Sequence, residues 1–175
     1  MSRTVYYTAV TLDGYLATED HSLAWLLSRH QDADHPMSYE RFITGIGAIA
    51  MGANTYRWVR DNHDGPWPYD VPTWVCTHRA FEQPDGADIR FGQGPVTDLH
   101  QQMSDAAGEQ DLWVVGGGGL AGQFAEAGLL DEVQVFIAPV TIGAGAPLLP
   151  RHVELRLEDV SRNSEFISAR YTVIR

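Results

Sequence analysis

The sequence predicts an α/β domain with a mostly parallel, mixed sheet. Its clearest unit joins the apolar run 112–115, four glycines, a helical segment and a second apolar run at 132–137. A strand, a glycine turn, a helix and a strand form a βαβ unit, whose two strands are parallel. Near the C-terminus, two segments that alternate apolar and polar residues indicate an antiparallel hairpin at the edge of the sheet.

Strands are expected where β-branched, aromatic or small apolar residues cluster. The predicted strands are 4–10, 48–51, 73–76, 87–91, 112–115 and 132–137. Helices are expected where apolar residues recur every three or four positions beside capping residues. The predicted helices are 38–44, 54–60, 96–107 and 120–127. Ser38 is the expected N-cap of the first helix, and Gly108 and Gly128 are the expected stops of the last two.

The closing hairpin is predicted from the alternating segments 152–157 and 165–173, which the polar stretch 161–164 connects. Glycine and proline mark 61–72 and 139–150 as loops. No repeat or linker divides the chain, and a length of 175 residues suits one core. The sequence therefore predicts a single domain over 1–175.

Composition restricts the possible partners. The net charge is −11, which disfavours nucleic acid and anionic membranes. All 12 basic residues are arginine, so a Schiff-base lysine and a Walker-type phosphate lysine are excluded. Cys76 is the single cysteine, and no signal-peptide pattern opens the chain. We therefore expect a cytoplasmic protein without disulfides.

Three predicted strands end in residues that suit a phosphorylated ligand. Glycines 116–119 stand between a strand and a helix, where backbone N–H groups and the helix dipole favour an anion. A tight turn without a ligand is the alternative. Residues 52–55 and 77–79 follow two further strands and offer small, hydroxyl or basic side chains. Because ligands bind at the carboxyl ends of parallel strands, the three ends together predict a dinucleotide site.

At this point the chain resembles the dihydrofolate reductase-like superfamily, and within it the group related to the reductase domain of bacterial riboflavin biosynthesis. Segments of nearly the whole chain carry the resemblance in the family's order. They are AVTLDGYLA at 9–17, SLAWL at 22–26, AMGANTY at 50–56, VCTHR at 75–79, WVVGGG at 113–118, LDEV at 130–133 and APVTIGAGAPLL at 138–149. The resemblance implies a three-layer fold of that superfamily.

The resemblance also implies an NADPH-dependent reductase that passes hydride to a small pterin- or pyrimidine-like ring. Residues at matching positions would then contact the cofactor. They are Ala9, Leu16, Ala17, Gly52, Ala53, Asn54, Thr55, Thr77, His78, Arg79, Val115, Gly116, Gly117, Gly118, Gly119 and Leu120. Trp25 and Phe42 would wall the substrate pocket, and Asp13 is a further candidate substrate contact, although Asp-Gly also predicts a plain turn.

Several positions depart from the family pattern. Ala53 replaces an arginine, Val115 replaces a glutamate and Ala138 replaces a threonine. The acid that dihydrofolate reductases use falls near Ser38. The nearest acids, Asp34 and Glu40, are therefore the candidate catalytic residues, although Glu40 is more simply explained as a charge at a helix start. Two alternatives stay open: a nucleotide-binding module without catalysis, and a riboflavin-pathway 5-amino-6-(5-phosphoribosylamino)uracil reductase.

Two further expectations concern metals and assembly. His30, Asp32, Asp34 and His35 form a polar cluster without a helical or hairpin frame, so we predict no metal site. Related reductase domains often pair through the sheet edge, and apolar residues of the last strands accompany such an edge here. These residues are Phe166, Ile167 and Tyr171. We therefore expect a homodimer.

Overall fold

The computed structural model describes residues 2–175, in which ten strands and five helices form. The strands are β1 Thr4–Thr11, β2 Tyr15–Ala17, β3 Ile46–Gly52, β4 Thr73–Cys76, β5 Ile89–Gly92, β6 Asp111–Gly116, β7 Glu132–Ala138, β8 Ala146–Pro147, β9 Leu155–Asn163 and β10 Phe166–Val173. The helices are α1 Ala24–Leu27, α2 Tyr39–Ile43, α3 Ala53–Asn62, α4 Val96–Ala107 and α5 Gly118–Glu126. In the described part of the chain, no helix combines the length and the apolar character that a membrane crossing requires.

Eight strands form one mixed sheet in the order β5-β4-β3-β6-β1-β7-β10-β9. The pairs from β5 to β7 are parallel, while β10 pairs antiparallel with both β7 and β9. The predicted βαβ unit is β6-α5-β7, and β1 lies between its two strands. The short strands β2 and β8 form a separate pair.

Two apolar cores cover the two faces of this sheet. On one face, Met103 of α4 and Phe124 of α5 pack with Val114 and Val133. On the other face, Tyr56 of α3 packs with sheet residues that include Met51 and Trp113. Alternation along each strand sends successive side chains to opposite faces. The result is three layers, with the sheet between the helices.

The structure corrects two of the predicted boundaries and the predicted exposure of one residue. The last helix begins at Gly118, not at 120, because Gly117 already has the extended conformation of an N-cap. Residues 161–163 belong to β9, and the hairpin turn is Ser164–Glu165. Ser164 has a φ of 55°, as tight hairpin turns require. Phe166, which we expected beside the open edge, is fully buried and belongs to the core.

Candidate functional site

Two helix N-termini lie side by side at the carboxyl ends of β3 and β6. Gly52 ends β3 and is the N-cap of α3, while Gly117 follows β6 and is the N-cap of α5. Met51 pairs with Gly116, so the two strand ends are neighbours. Neither helix has a side-chain cap or an acidic residue in its first turn. Their free N–H groups and partial positive charges therefore converge on one place and suit an anion.

The four glycines of the run have different roles. Gly116 has a φ of +142°, which favours glycine. A Cβ at Gly118 would overlap the backbone oxygens of Pro147 and Leu148, where the 139–150 loop crosses the helix start. At Gly117 and Gly119, however, nothing lies within 4 Å of the Cβ position. Two glycines therefore serve the fold, and two leave open space in which a ligand could approach the backbone.

A gap in the sheet adjoins this glycine run. The β1–β6 ladder ends where Tyr6 pairs with Val114, whereas β1 continues to Thr11 beside β7 alone. Residues at odd positions of β1 direct their backbone groups towards β6, since the N–H of Leu112 donates to the carbonyl of Arg3. Ala9 is one of these odd positions and lies beyond the ladder. Its backbone N–H and carbonyl therefore face the gap, where they suit an amide group of a ligand. The carbonyl also accepts a hydrogen bond of 3.3 Å from the Thr8 hydroxyl.

The end of β4 lies next to α3, because Cys76 pairs with Gly52. The hydroxyl of Thr77 accepts a hydrogen bond of 2.9 Å from the backbone N–H of Arg79, which forms a short turn. His78 and Arg79 are exposed, and no carboxylate of residues 2–175 forms an ion pair with Arg79. Burial raises the pKa of the Cys76 thiol to about 11, so this thiol stays neutral at physiological pH.

The turn after β1 is tied to the 139–150 loop through Asp13. Its carboxylate accepts hydrogen bonds from the Thr11 hydroxyl at 2.6 Å and from the backbone N–H groups of Gly143 and Ile142 at 2.7 and 3.1 Å. The Thr11 hydroxyl, together with these backbone groups, holds the pKa of the Asp13 carboxyl below its usual range. These contacts support the interpretation of Asp13 as a turn residue. Its role in substrate binding stays a prediction.

Leu16 and Ala17 lie on β2, directly after this turn, and Ala17 pairs with Ala146 of β8. The nearby loop glycine, Gly145, has a φ of +150°, and a Cβ there would overlap the carbonyl oxygen of Ala17. The 139–150 loop thus packs closely on both β2 and the start of α5. It connects the two regions that the sequence assigned to the cofactor.

The predicted substrate wall is aromatic, and its Phe42 ring packs against other aromatic rings. Phe42 stacks on Tyr7 with ring centroids 4.1 Å apart, and it meets Trp113 edge-on at 5.4 Å. Trp25 is 8% exposed, and its indole nitrogen is buried without a hydrogen-bond partner in the described chain. The Ser38 hydroxyl is in the same condition. A buried polar group without a partner is unfavourable, so both groups are suited to meet a water or a ligand.

The two candidate acids are both exposed, and neither carboxylate hydrogen-bonds to another side chain within residues 2–175. Glu40 lies in the first turn of α2. Burial, and then the charge of Glu40, raise the pKa of the Tyr7 hydroxyl. Asp34 lies in a turn, where its backbone N–H donates to Asp32. The assignment of either acid to catalysis therefore stays a prediction.

The polar cluster at 30–35 fastens its loop to the closing hairpin. The backbone N–H of Asp32 donates to Asn163 at 2.7 Å. His35 is buried, and its Nδ1 accepts from the backbone N–H of Met37. This bond leaves the proton on Nε2, which lies 3.0 Å from the Ser161 hydroxyl. Both ring nitrogens of His35 are thus engaged in the structure of the loop.

An aromatic cluster around Trp113 was not predicted from the sequence. Besides Tyr7 and Phe42, the indole of Trp113 contacts Tyr39 at 6.0 Å and Tyr69 at 5.7 Å between centroids. Its Nε1 donates to the carbonyl of Tyr7, beyond the end of the β1–β6 ladder. These residues come from separate elements, so the sequence shows that aromatic residues are present but not that they meet.

Comparison with known proteins identifies the family. The model of the RibD C-terminal domain matches residues 4–167. The chain belongs to this family. The uncharacterized protein YwjB of Bacillus subtilis (strain 168) is 26% identical over 172 residues, which cover 97% of each chain. The predicted resemblance to riboflavin-biosynthesis reductase domains is thereby confirmed.

Two solved structures show the same fold. A putative riboflavin biosynthesis protein from Shewanella sp. PV-4 superposes with a TM-score of 0.82, at 24% identity and 99% coverage of each chain. Dihydrofolate reductase from Enterococcus faecalis, complexed with NADP(H), gives a TM-score of 0.59 at 15% identity, covering 99% of this chain and 97% of that one. The predicted dihydrofolate reductase-like fold is confirmed.

Proposed function

We propose that this protein is an NADPH-dependent reductase that transfers hydride to a small pterin- or pyrimidine-like ring. The observation that carries the proposal is the pair of uncapped helix N-termini at Gly52 and Gly117. Side by side, these two ends bring several free N–H donors to one place. Such a local anion site is needed because the net charge of −11 disfavours anionic ligands at long range. A pyrophosphate is a ligand that can use both ends at once.

The residues present fit the remainder of this cofactor. The backbone of Ala9 faces the sheet gap and would orient the nicotinamide carboxamide. Thr55, whose hydroxyl lies 3.8 Å from the Cβ position of Gly116, would add a donor to the pyrophosphate. Arg79, with Thr77 and His78 beside it, would hold the 2′-phosphate at the end of β4. When bound, the cofactor supplies the hydride, and the protein supplies binding and orientation.

The substrate ring would lie on the α2 side of the gap, against Trp25 and Phe42. Reduction of a ring carbon–nitrogen double bond consumes one proton for each hydride. Asp34 and Glu40 are the proposed sources of that proton, through water because both are exposed. Trp25 would contribute the apolar surface of its indole to this wall, since its N–H is buried.

Cofactor binding and turnover test the proposal separately. Quenching of tryptophan fluorescence should saturate with NADPH at micromolar to millimolar concentrations. The Gly117→Val variant should remain folded but lose this response, because its side chain would enter the open space beside α5. NADPH oxidation should then appear with at least one of a panel of pterins, pyrimidines and 5-amino-6-(5-phosphoribosylamino)uracil. Absence of NADPH binding by the folded protein would overturn the cofactor site.

A nucleotide-binding module without catalysis is the second candidate. Two observations favour it: the candidate acids are exposed, and the Phe42 ring is already stacked on Tyr7. Saturable NADPH binding without turnover of any compound in the panel would support this module. Turnover of the aminouracil alone would instead support the riboflavin-pathway reductase.

We also propose that two copies pair through the β9–β10 hairpin. Leu157, Val160 and Ile167 are 53%, 56% and 48% exposed, which is high for large apolar residues. Val160 pairs with Ala169, a residue of the core beneath α4 and α5. The exposed side chains therefore continue that core face to the edge of the sheet, where a second copy would cover them.

A further inference from the structure

A cavity of about 370 Å³ lies at the amino-terminal edge of the sheet, opposite to the glycine run. Its walls come from the starts of β3, β6 and β7, from β9 and β10, and from the segment that includes α2. The volume is within the range of small-molecule sites. The cofactor cleft proposed above lies at the other ends of the same strands, and Phe42, which we also propose as a substrate wall, lies between the two regions.

Part of the charge that lines the cavity is already neutralised. Arg3 bonds to Asp111 at 2.7 Å and to Glu132 at 2.9 Å. The Glu132 side chain is only 8% exposed, and Gln134 also donates to it at 2.6 Å. A buried carboxylate is stable only with such partners. Because Arg3, Asp111 and Glu132 already satisfy one another, they offer few free donors or acceptors to a ligand.

Other charged groups on the walls are still available. The cross-strand registers place Gln134, Arg170 and Asp159 in one row over β7, β10 and β9. The one ion pair of Arg170 in residues 2–175 is a 4.0 Å approach to Glu132, which is longer than a hydrogen bond. Arg41 of α2 also lines the cavity, and neither it nor Asp159 has a side-chain partner within the described residues. Two guanidinium groups and one carboxylate are thus open to a ligand.

The remaining wall is apolar. Met37, which is 8% exposed, and Phe42 close the cavity on the α2 side. A ligand that satisfies all of these groups has a carboxylate for the arginines, a donor for Asp159 and an apolar portion. We propose that the cavity binds a small α-amino or α-hydroxy acid with an apolar side chain. Arg41 and Arg170 hold its carboxylate, and Asp159 accepts a hydrogen bond from its amine or hydroxyl group.

Four phenyl compounds separate the parts of this proposal. L-phenylalanine and L-phenyllactate carry both polar groups, 3-phenylpropionate lacks the donor, and phenethylamine lacks the carboxylate. Binding is measured on the full chain by NMR chemical-shift changes. The amino or hydroxy acid should bind at least about tenfold more tightly than either single-group compound, since one charge-assisted contact is worth roughly that factor. Whichever of the two binds more tightly identifies the natural donor as an amine or a hydroxyl.

Variants then locate the site. Arg41 is an exposed residue of α2, so the Arg41→Gln variant should keep its fold. Its affinity for L-phenylalanine and for L-phenyllactate should be about tenfold lower. Asp159→Asn should weaken L-phenylalanine and leave 3-phenylpropionate within about twofold. Arg162 lies on the opposite face of β9, so Arg162→Gln is the matched control and should leave the affinity for each compound unchanged. No response to any compound at about 20 mM, or an unchanged affinity in Arg41→Gln, overturns the proposal.

Discussion

The proposed 2′-phosphate contact of Arg79 can be tested by comparing NADPH with NADH. The two cofactors differ by one phosphate on the adenosine ribose. The whole protein carries a charge of −11, so its long-range field repels that phosphate and a preference must come from short contacts. Arg79 is exposed, forms no ion pair in residues 2–175 and lies one strand away from the helix start at Gly52. Its guanidinium is therefore free to bind the phosphate.

The expected magnitude follows from this exposure. Charge-assisted hydrogen bonds contribute about 1.5–3 kcal/mol, and solvent screening places an exposed arginine at the low end of that range. Arg79→Ala should therefore weaken NADPH by about tenfold, which corresponds to about 1.4 kcal/mol. Ala53, at the neighbouring end of β3, carries no charge, so no guanidinium at that strand end would replace the loss. NADH affinity should change by less than about twofold.

The assay is fluorescence titration with both cofactors at two salt concentrations. In the wild-type protein, the NADPH preference should decrease as salt is added, and in Arg79→Ala it should depend less on salt. Arg156→Ala, on the edge strand β9, is the matched control for loss of one positive charge. Equal losses of NADPH and NADH affinity would show that Arg79 supports the fold and that the phosphate site lies elsewhere.

Three further predictions concern the glycine run, the Asp13 turn and the hairpin. Gly118→Ala should lower the melting temperature strongly, because its Cβ would overlap the oxygens of Pro147 and Leu148. Gly117→Val should instead lower NADPH affinity and have little effect on the melting temperature. The reverse pattern would contradict the assigned roles of the two glycines. The folded-state pKa of Asp13 is lowered, so its contribution to stability is present above the unfolded pKa of about 3.9 and is lost as the pH falls through the folded pKa. Asp13→Asn should therefore reduce the acid dependence of the melting temperature, and an unchanged profile would refute this contribution. Val160→Glu should convert the proposed dimer into the 19.4 kDa monomer in sedimentation experiments, and a monomeric wild type would refute the interface.

Local sequence determined most of the elements. The predicted bounds of the strand 73–76 and the helix 96–107 agree with the observed bounds. Each segment has its own apolar pattern and is flanked by residues that typically end a strand or a helix. Gly108 and Gly128 follow their helices with positive φ, as expected for helix stops. These features depend on interactions within a few residues. They are therefore readable without knowledge of the rest of the chain.

Tertiary structure determined which of these elements meet. The position of β1 between β6 and β7, and the early end of its ladder with β6, create the gap that Ala9 faces. The role of Gly118 depends on the loop that crosses it from about 30 residues further along the chain. The short pair β2–β8 was not predicted, since two or three residues carry no periodic signal.

The candidate site shows the same division. The sequence identified the glycine run and the strand ends, because glycine and hydroxyl residues after an apolar run have a local meaning. It could not show that the Phe42 ring would stack on Tyr7, or that the Asp13 carboxylate would bind the distant backbone of Gly143. Such contacts join residues far apart in the chain, and the strand order and registers of the folded sheet decide them.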